Sequence, residues 1–284
     1  MRILVTNDDG IQAPGIAALA EAAVGTGHEV VLVAPLGDHS GAGAAVGPVH
    51  QREGVAYESF DLKGLGGIPA FGIDGPPALA VILACIGSFG PVPDLVLSGI
   101  NHGANLGRSA LHSGTIGAVL TGAQFGLSGL AVSIRWGDDP IPWETPATVA
   151  IELLPALLDA PVATVWNLNV PDVPISSLRG LRHGRLGRSG TIRSAVREGG
   201  SDMPPGSAPH LAPPPMGSGF LRLDFTMPGV NAPSGSPVAS DEDLITDAEL
   251  VSADFAALTA LVGVREGDSA ANHVVLAAVD GLLS

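Results

Sequence analysis

The first 34 residues constrain the fold more than any other stretch of this chain. Residues 3–6 (Ile-Leu-Val-Thr) form a short run of strand formers, closed by the polar turn Asn7-Asp8-Asp9-Gly10. Pro14 then opens a helix that Gly25-Thr26-Gly27 closes. Residues 29–34 (Glu-Val-Val-Leu-Val-Ala) are apolar almost throughout, and Pro35 ends them. A strand without polar alternation is covered on both faces, the signature of a parallel sheet between helical layers. A complete β-α-β unit is therefore in place by residue 34.

The alternation resumes after an irregular region over residues 41–70. The pattern predicts a helix over 77–87, a strand over 94–98, a loop over 99–113 and a helix over 114–125. A strand over 130–134, a helix over 146–158 and a strand over 164–170 follow. The fold class expected is α/β, a Rossmann-like, mostly parallel sheet flanked by helices. Residues 1–171 form its core, and the loops after its strands lie at the carboxyl edge, where open sheets bind ligands. Beyond Pro171 the character changes. Residues 199–219 are dense in Pro, Gly and Ser. Residues 182–193 and 220–225 read as short strands, 253–262 as a last helix and 274–279 as a strand. Residues 172–284 are expected to form a β-rich accessory region used in oligomerisation.

Composition sets the outer limits. With 46% hydrophobic and 4% aromatic residues, the core is built from small aliphatic side chains. The 13 basic and 28 acidic residues give a net charge of −15. That balance disfavours a nucleic-acid polymer, whose affinity for proteins comes from Lys and Arg neutralising phosphates. A small phosphorylated ligand remains compatible where a bound cation reverses the local field. The single cysteine, Cys85, excludes an intrachain disulfide and fits a reducing compartment. Neither of the two long uncharged stretches, 76–93 and 109–134, has the continuous apolar character of a membrane span. The expectation is a soluble, cytoplasmic protein without a membrane partner.

Chemistry concentrates on four loops. Asp8 and Asp9 repel each other at the end of the first strand, and a cation or hydrogen bonds must compensate. As a bare motif Asp-Asp-Gly is more often a capped Asx turn, so the other loops matter. Ser40 follows the second strand. Asn101 and Asn105 lie among glycines in residues 98–107, and Ser113-Gly114-Thr115 opens a helix whose N–H groups make an anion cradle. Each has an ordinary reading as a cap, turn former or surface hydroxyl. Their shared placement on carboxyl-edge loops points to one site.

The blocks are more specific together. Residues 1–12 (Met-Arg-Ile-Leu-Val-Thr-Asn-Asp-Asp-Gly-Ile-Gln) resemble the opening of the SurE family of stationary-phase survival nucleotidases. Val33-Ala34-Pro35 with Ser40-Gly41, residues 97–107, His112-Ser113-Gly114-Thr115 and Asn167-Leu168-Asn169-Val170-Pro171 resemble its later blocks in order. The likeness is strong to residue 135 and fades after 171. It implies one divalent metal ion, Mg²⁺ or Mn²⁺, on Asp8, Asp9, Ser40 and Asn101. It also implies phosphate contacts from Asn105, Ser113, Gly114 and Thr115, and hydrolysis of nucleoside monophosphates by a homodimer or homotetramer. Asp8 is the candidate catalytic residue, as general base or nucleophile. Histidines 39, 102 and 112 lie near enough in sequence to donate a proton, although a loop histidine is more often structural.

Departures from the family pattern keep alternatives open. Leu79 stands where the family carries an aspartate. The block at residues 249–255 lacks the family's Tyr and Pro, and the Pro-rich insert is longer than usual. A phosphatase for another small phosphorylated metabolite, or a non-catalytic nucleotide-binding paralogue, are the competing readings. A dinucleotide-dependent oxidoreductase is disfavoured, because two acids in the first turn repel a pyrophosphate.

Overall fold

The computed structural model describes residues 1–51, 53–187, 192–197, 221–225 and 246–264. The Pro-rich stretch 199–219 and the strand expected over 274–279 lie outside the described residues. The elements are β1 (Arg2–Thr6), α1 (Pro14–Gly25), β2 (Glu29–Pro35), β3 (Tyr57–Ser59), β4 (Ala70–Ile73), α2 (Pro77–Cys85) and β5 (Leu95–His102). Then come α3 (Gly114–Gln124), β6 (Ser128–Ile134), α4 (Glu144–Glu152), α5 (Leu154–Asp159), β7 (Val165–Val170) and β8 (Leu181–His183). The chain continues with β9 (Ile192–Arg197), β10 (Leu221–Phe225), α6 (Asp247–Ser252) and β11 (Ala256–Leu261).

Among the described residues the main sheet has nine strands in the order β3-β4-β2-β1-β5-β6-β7-β11-β8, and β9 and β10 form a separate antiparallel pair. Pairing is parallel from β4 through β7, while β3 and β11 run antiparallel to their inner neighbours. From β1 the chain first steps outward to β2 and then returns to place β5 on the other side. This reversal puts a crevice between the carboxyl ends of β1 and β5, the usual ligand site of such sheets.

The continuous apolar runs have the predicted cause. Ile3 and Val5 face one layer with α1, α4 and α5, where Ile16, Leu19, Ala150 and Leu157 are buried. Leu4, Val31 and Val33 face the other layer with α2 and α3. Cys85 is a free thiol inside that second layer, and burial pushes it up to about 11. No helix among the described residues is long and apolar enough to cross a membrane.

Several boundaries differ from expectation. Strand β5 runs on to His102 where a loop was expected from residue 99, β3 lies within the region read as irregular, and the helix expected over 146–158 is divided into α4 and α5. Residues 253–262 do not continue a helix; the short α6 ends at Ser252, and β11 follows it into the sheet. The sequence Ala-Ala-Leu-Thr-Ala-Leu carries good helix formers, yet pairing with β7 on one side and β8 on the other overrides them.

Helix α6 opens with a capping box between Thr246 and Glu249. Beside it, the fully buried Asp247 accepts hydrogen bonds from the N–H groups of Gly107 (2.7 Å), Gly187 (3.0 Å) and Ala248 (2.9 Å). Asp247 thus ties the C-terminal elements to the loop after β5. Asp247→Ala would orphan these donors, and the expected cost is roughly 2–4 kcal/mol in urea denaturation. A loss under about 0.5 kcal/mol, the level of an ordinary surface change, would show that the three N–H groups find other partners.

Candidate active site

Strand β1 delivers Asn7, Asp8 and Asp9 into the crevice. Asn7 closes the turn on itself: its Nδ2 donates to the Gly10 carbonyl (2.9 Å) and its Oδ1 accepts from the Gly10 N–H (3.2 Å). Asp8 is buried at 3% exposure, and Asp9 is half-buried.

The N-terminus of α3 meets Asp8 head-on. Thr115 Oγ1 donates to Asp8 Oδ1 at 2.6 Å, and the Thr115 N–H supports the same carboxylate. Gly114 lies so close that an added Cβ would stand 2.8 Å from Asp8 Oδ2, so only glycine fits without displacing the acid. Ser113 caps the helix, accepting from the Ile116 N–H at 3.1 Å.

On the other side, β5 bulges between Ser98 and Asn101 as it pairs with β6. Gly99 sits at φ +133 there, and a Cβ on it would strike the Val132 carbonyl at 2.2 Å. Asn101 follows this bulge near the carboxyl end of β5. Asn101 Nδ2 donates to the Gly103 carbonyl (2.5 Å), which leaves the amide oxygen as the end it can offer a cation. The His102 N–H donates to the Asp9 carboxylate.

Ser40 arrives from the loop after β2. The His39 N–H bonds the Asp8 carbonyl (2.7 Å), and the Gly43 N–H bonds the His112 carbonyl (3.0 Å), so the loop is held between β1 and α3. The Ser40 hydroxyl donates to Asp38 Oδ1 at 2.6 Å, and its lone pairs remain the atoms a metal would use.

Both central carboxyls are pushed above the ordinary carboxylate range. Burial is the main cause for Asp8, against which Thr115 works. Asp9 rises to about 7, first through burial and then through the charge of Asp8, with the His102 N–H opposing. Among the described residues, none that shifts either group is cationic. This is a negative, oxygen-rich crevice without a positive partner, and its donors suit a hard divalent ion. No described cluster brings three His, Cys, Asp or Glu together, so the two carboxylates need neutral oxygens such as those of Asn101 and Ser40 to complete a donor set.

Comparison with known proteins identifies the family. Residues 3–193 match the family described as Survival protein SurE. The 5'-nucleotidase SurE of Methylococcus capsulatus is 39% identical over 199 residues, covering 69% of this chain and 75% of that protein. The 5'-nucleotidase SurE of Chloroflexus aggregans is 44% identical over 196 residues, 66% of this chain and 73% of that protein. The crystal structure of the SurE protein from Aquifex aeolicus superimposes with a TM-score of 0.70 at 26% identity, over 100% of both chains. The chain belongs to the SurE family.

Within this SurE-family chain, Leu79 is 5% exposed and lies in the apolar layer with Val33 and Ile73. Leu79 is therefore a packed side chain of the core. Sequence reasoning missed a buried polar network behind the site. Asn105 Nδ2 donates to Ser133 Oγ (2.9 Å) and lies 3.4 Å from Thr115 Oγ1, while the Asn105 N–H donates to Asn169 Oδ1 (2.7 Å). The Asn105 carbonyl accepts from Asn167 Nδ2 (2.9 Å) and Asn169 Nδ2 (3.2 Å). The signal was present: Asn167 and Asn169 alternate along an otherwise apolar strand, so both fall on one face.

The raised Asp9 also predicts a stability signature in the metal-free protein. A carboxyl whose folded pKa is raised contributes stability below its ordinary 3.8 and loses it as pH rises through about 7. Asp9→Asn should therefore gain thermal stability over the wild type across that window in the presence of a chelator. A difference in Tm that does not grow with pH would remove Asp9 from a buried, repelled environment.

Proposed function

We propose that this chain is a metal-dependent phosphomonoesterase that hydrolyses nucleoside monophosphates to nucleoside and phosphate. The observation that carries the reading is the adjacent pair of Asp8, buried against the N-terminus of α3, and Asp9, half-buried beside it, neither shifted by a cationic group among the described residues. The naming of its relatives as 5'-nucleotidases supports the substrate class.

In this reading Asp8, Asp9, Ser40 and Asn101 would hold Mg²⁺ or Mn²⁺, which would supply Lewis acidity and a means of activating water. The chain's own residues do the positioning. Thr115 fixes one oxygen of Asp8, the residue assigned to the attack on the ester as base or nucleophile. Because both its hydroxyl and its N–H are given to Asp8, Thr115 acts on the phosphate through Asp8. Ser113 holds the first turn of α3 in place, and Gly114 lets that turn approach the acid. The helix end then favours negative charge on the phosphoryl oxygens without reorganisation during the reaction. Asn105 braces the loop from behind and keeps Thr115 aligned.

Phosphate release from a panel of nucleoside monophosphates and simpler phosphomonoesters, with and without added Mn²⁺, tests the reading. Release should depend on the ion and favour nucleotides, and Asp9→Asn should lower it by about 100-fold or more. Retention of wild-type rates by that variant would take Asp9 out of the site. Thr115→Val keeps the shape and removes the hydroxyl. It should cost about 10–100-fold in metal affinity or kcat, as loss of a hydrogen bond to a ligating carboxylate does. Full activity with unaltered metal affinity would show that Asp8 needs no such support.

A further inference from the structure

Two of the chain's three tryptophans, Trp136 and Trp143, pack on one histidine beside the crevice. Trp136 follows β6 directly and so stands at the carboxyl edge of the sheet. Its ring lies parallel to His102, with centroids 4.1 Å apart and planes 8° from coincidence, while Trp143 meets the same imidazole edge-on at 5.6 Å and 69°. One face of the indole is thus covered, yet the residue is 57% exposed. The opposite face is the one open to solvent.

The main chain around Trp136 is fixed. The Arg135 N–H bonds the Val170 carbonyl (2.8 Å), and the Gly103 N–H bonds the Ile134 carbonyl (2.9 Å). Gly137 is pressed on Asp172, whose Oδ2 stands 1.5 Å from where a Cβ would be. The indole also lies against the site. A Cβ on Gly103 would be 3.6 Å from Asn101 Nδ2 and 3.8 Å from Trp136 Cε3, so one residue without a side chain separates the candidate metal ligand from the ring.

We propose that the open face of Trp136, backed by His102, is the platform on which the nucleobase of the substrate stacks. This rests on the phosphomonoesterase reading and names the part of the substrate that reading leaves unheld. The ring stands beside Asn101, a ligand of the ion in that reading, and so flanks the place where the phosphate would bind. A flat π-surface of this kind holds any base through its face, so it favours nucleotides over base-free esters and larger purines over pyrimidines. An indole pre-stacked on His102 loses little freedom when a base settles on it.

The test compares AMP with ribose 5-phosphate, which carries the same phosphoester without the base. Trp136→Ala should lower the ratio of their kcat/KM values by about 10-fold or more, mainly through KM for AMP, and Trp136→Phe should restore most of it. An equal fall for both substrates, or no fall for either, overturns the platform while leaving the phosphatase reading intact. A measurement without turnover separates the two proposals further. Adenosine should quench the wild-type indole fluorescence, and the Trp136→Ala protein should lack that component. Quenching with no phosphate release from any ester would keep the platform and sink the enzymology. Absence of quenching in the wild type, as when a second copy of the chain covers the ring, would sink the platform.

Discussion

Two adjacent carboxylates at the end of the central strand are the constraint from which the surrounding structure follows. Burial makes ionisation of each costly, and their proximity makes ionisation of both costlier still. The fold offers Asp8 the first turn of α3 and the Thr115 hydroxyl, and it offers Asp9 the His102 N–H. These donors reduce the penalty without removing it, since Asp9 still titrates at about 7. A divalent cation would complete the compensation. The chain reversal that puts β2 on one side of β1 and β5 on the other makes room for it.

Holding such a charge requires rigid surroundings, and buried polar groups supply them. The loop after β5 is gripped at Asn105 by Ser133, Asn167 and Asn169, and at Gly107 by Asp247. Buried amides are tolerated only when hydrogen-bonded, so each contact also specifies a single arrangement of its neighbours. The grip of Asp247 comes from α6, far along the chain. The C-terminal elements therefore bear on the site even though the candidate ligands all precede residue 102.

How legible this was in the sequence depends on the range of the interaction. The strands β1 and β2 were plain because a strand covered on both faces must be apolar throughout, and the Asp8, Asp9, Ser113 and Thr115 blocks sit at predictable strand and helix ends. The bond from Thr115 to Asp8 spans 107 residues, and nothing local distinguishes a hydroxyl that meets phosphate from one that holds an acid. Strand β4 was hidden within and just after a region read as irregular, because Ala70–Ile73 is only four residues long and contains a glycine. Strand β11 was misread because its alanines and leucines suit a helix, while the decisive fact, an unfilled place between β7 and β8, is tertiary. That Leu79 belongs to the core was not legible from its neighbours alone, because its burial is set by the packing of α2 on the sheet.

The net charge of −15 gives these local features their physical weight. Long-range fields slow the approach of an anionic ester to an acidic protein, although salt confines that repulsion to about 8 Å at physiological ionic strength. The attractions that count are therefore those felt at contact. In the proposed reading, a cation held by Asp8 and Asp9 and the positive end of α3 would act on the phosphate there. Both are charge-dependent and do not distinguish one phosphoester from another. Stacking on Trp136 is indifferent to the sign of the field and to salt, and it acts on the neutral end of a nucleotide. On an acidic surface that is the sound physical place for selectivity: charge chemistry at the sheet edge for the group that reacts, and an aromatic face one residue away for the group that identifies the substrate.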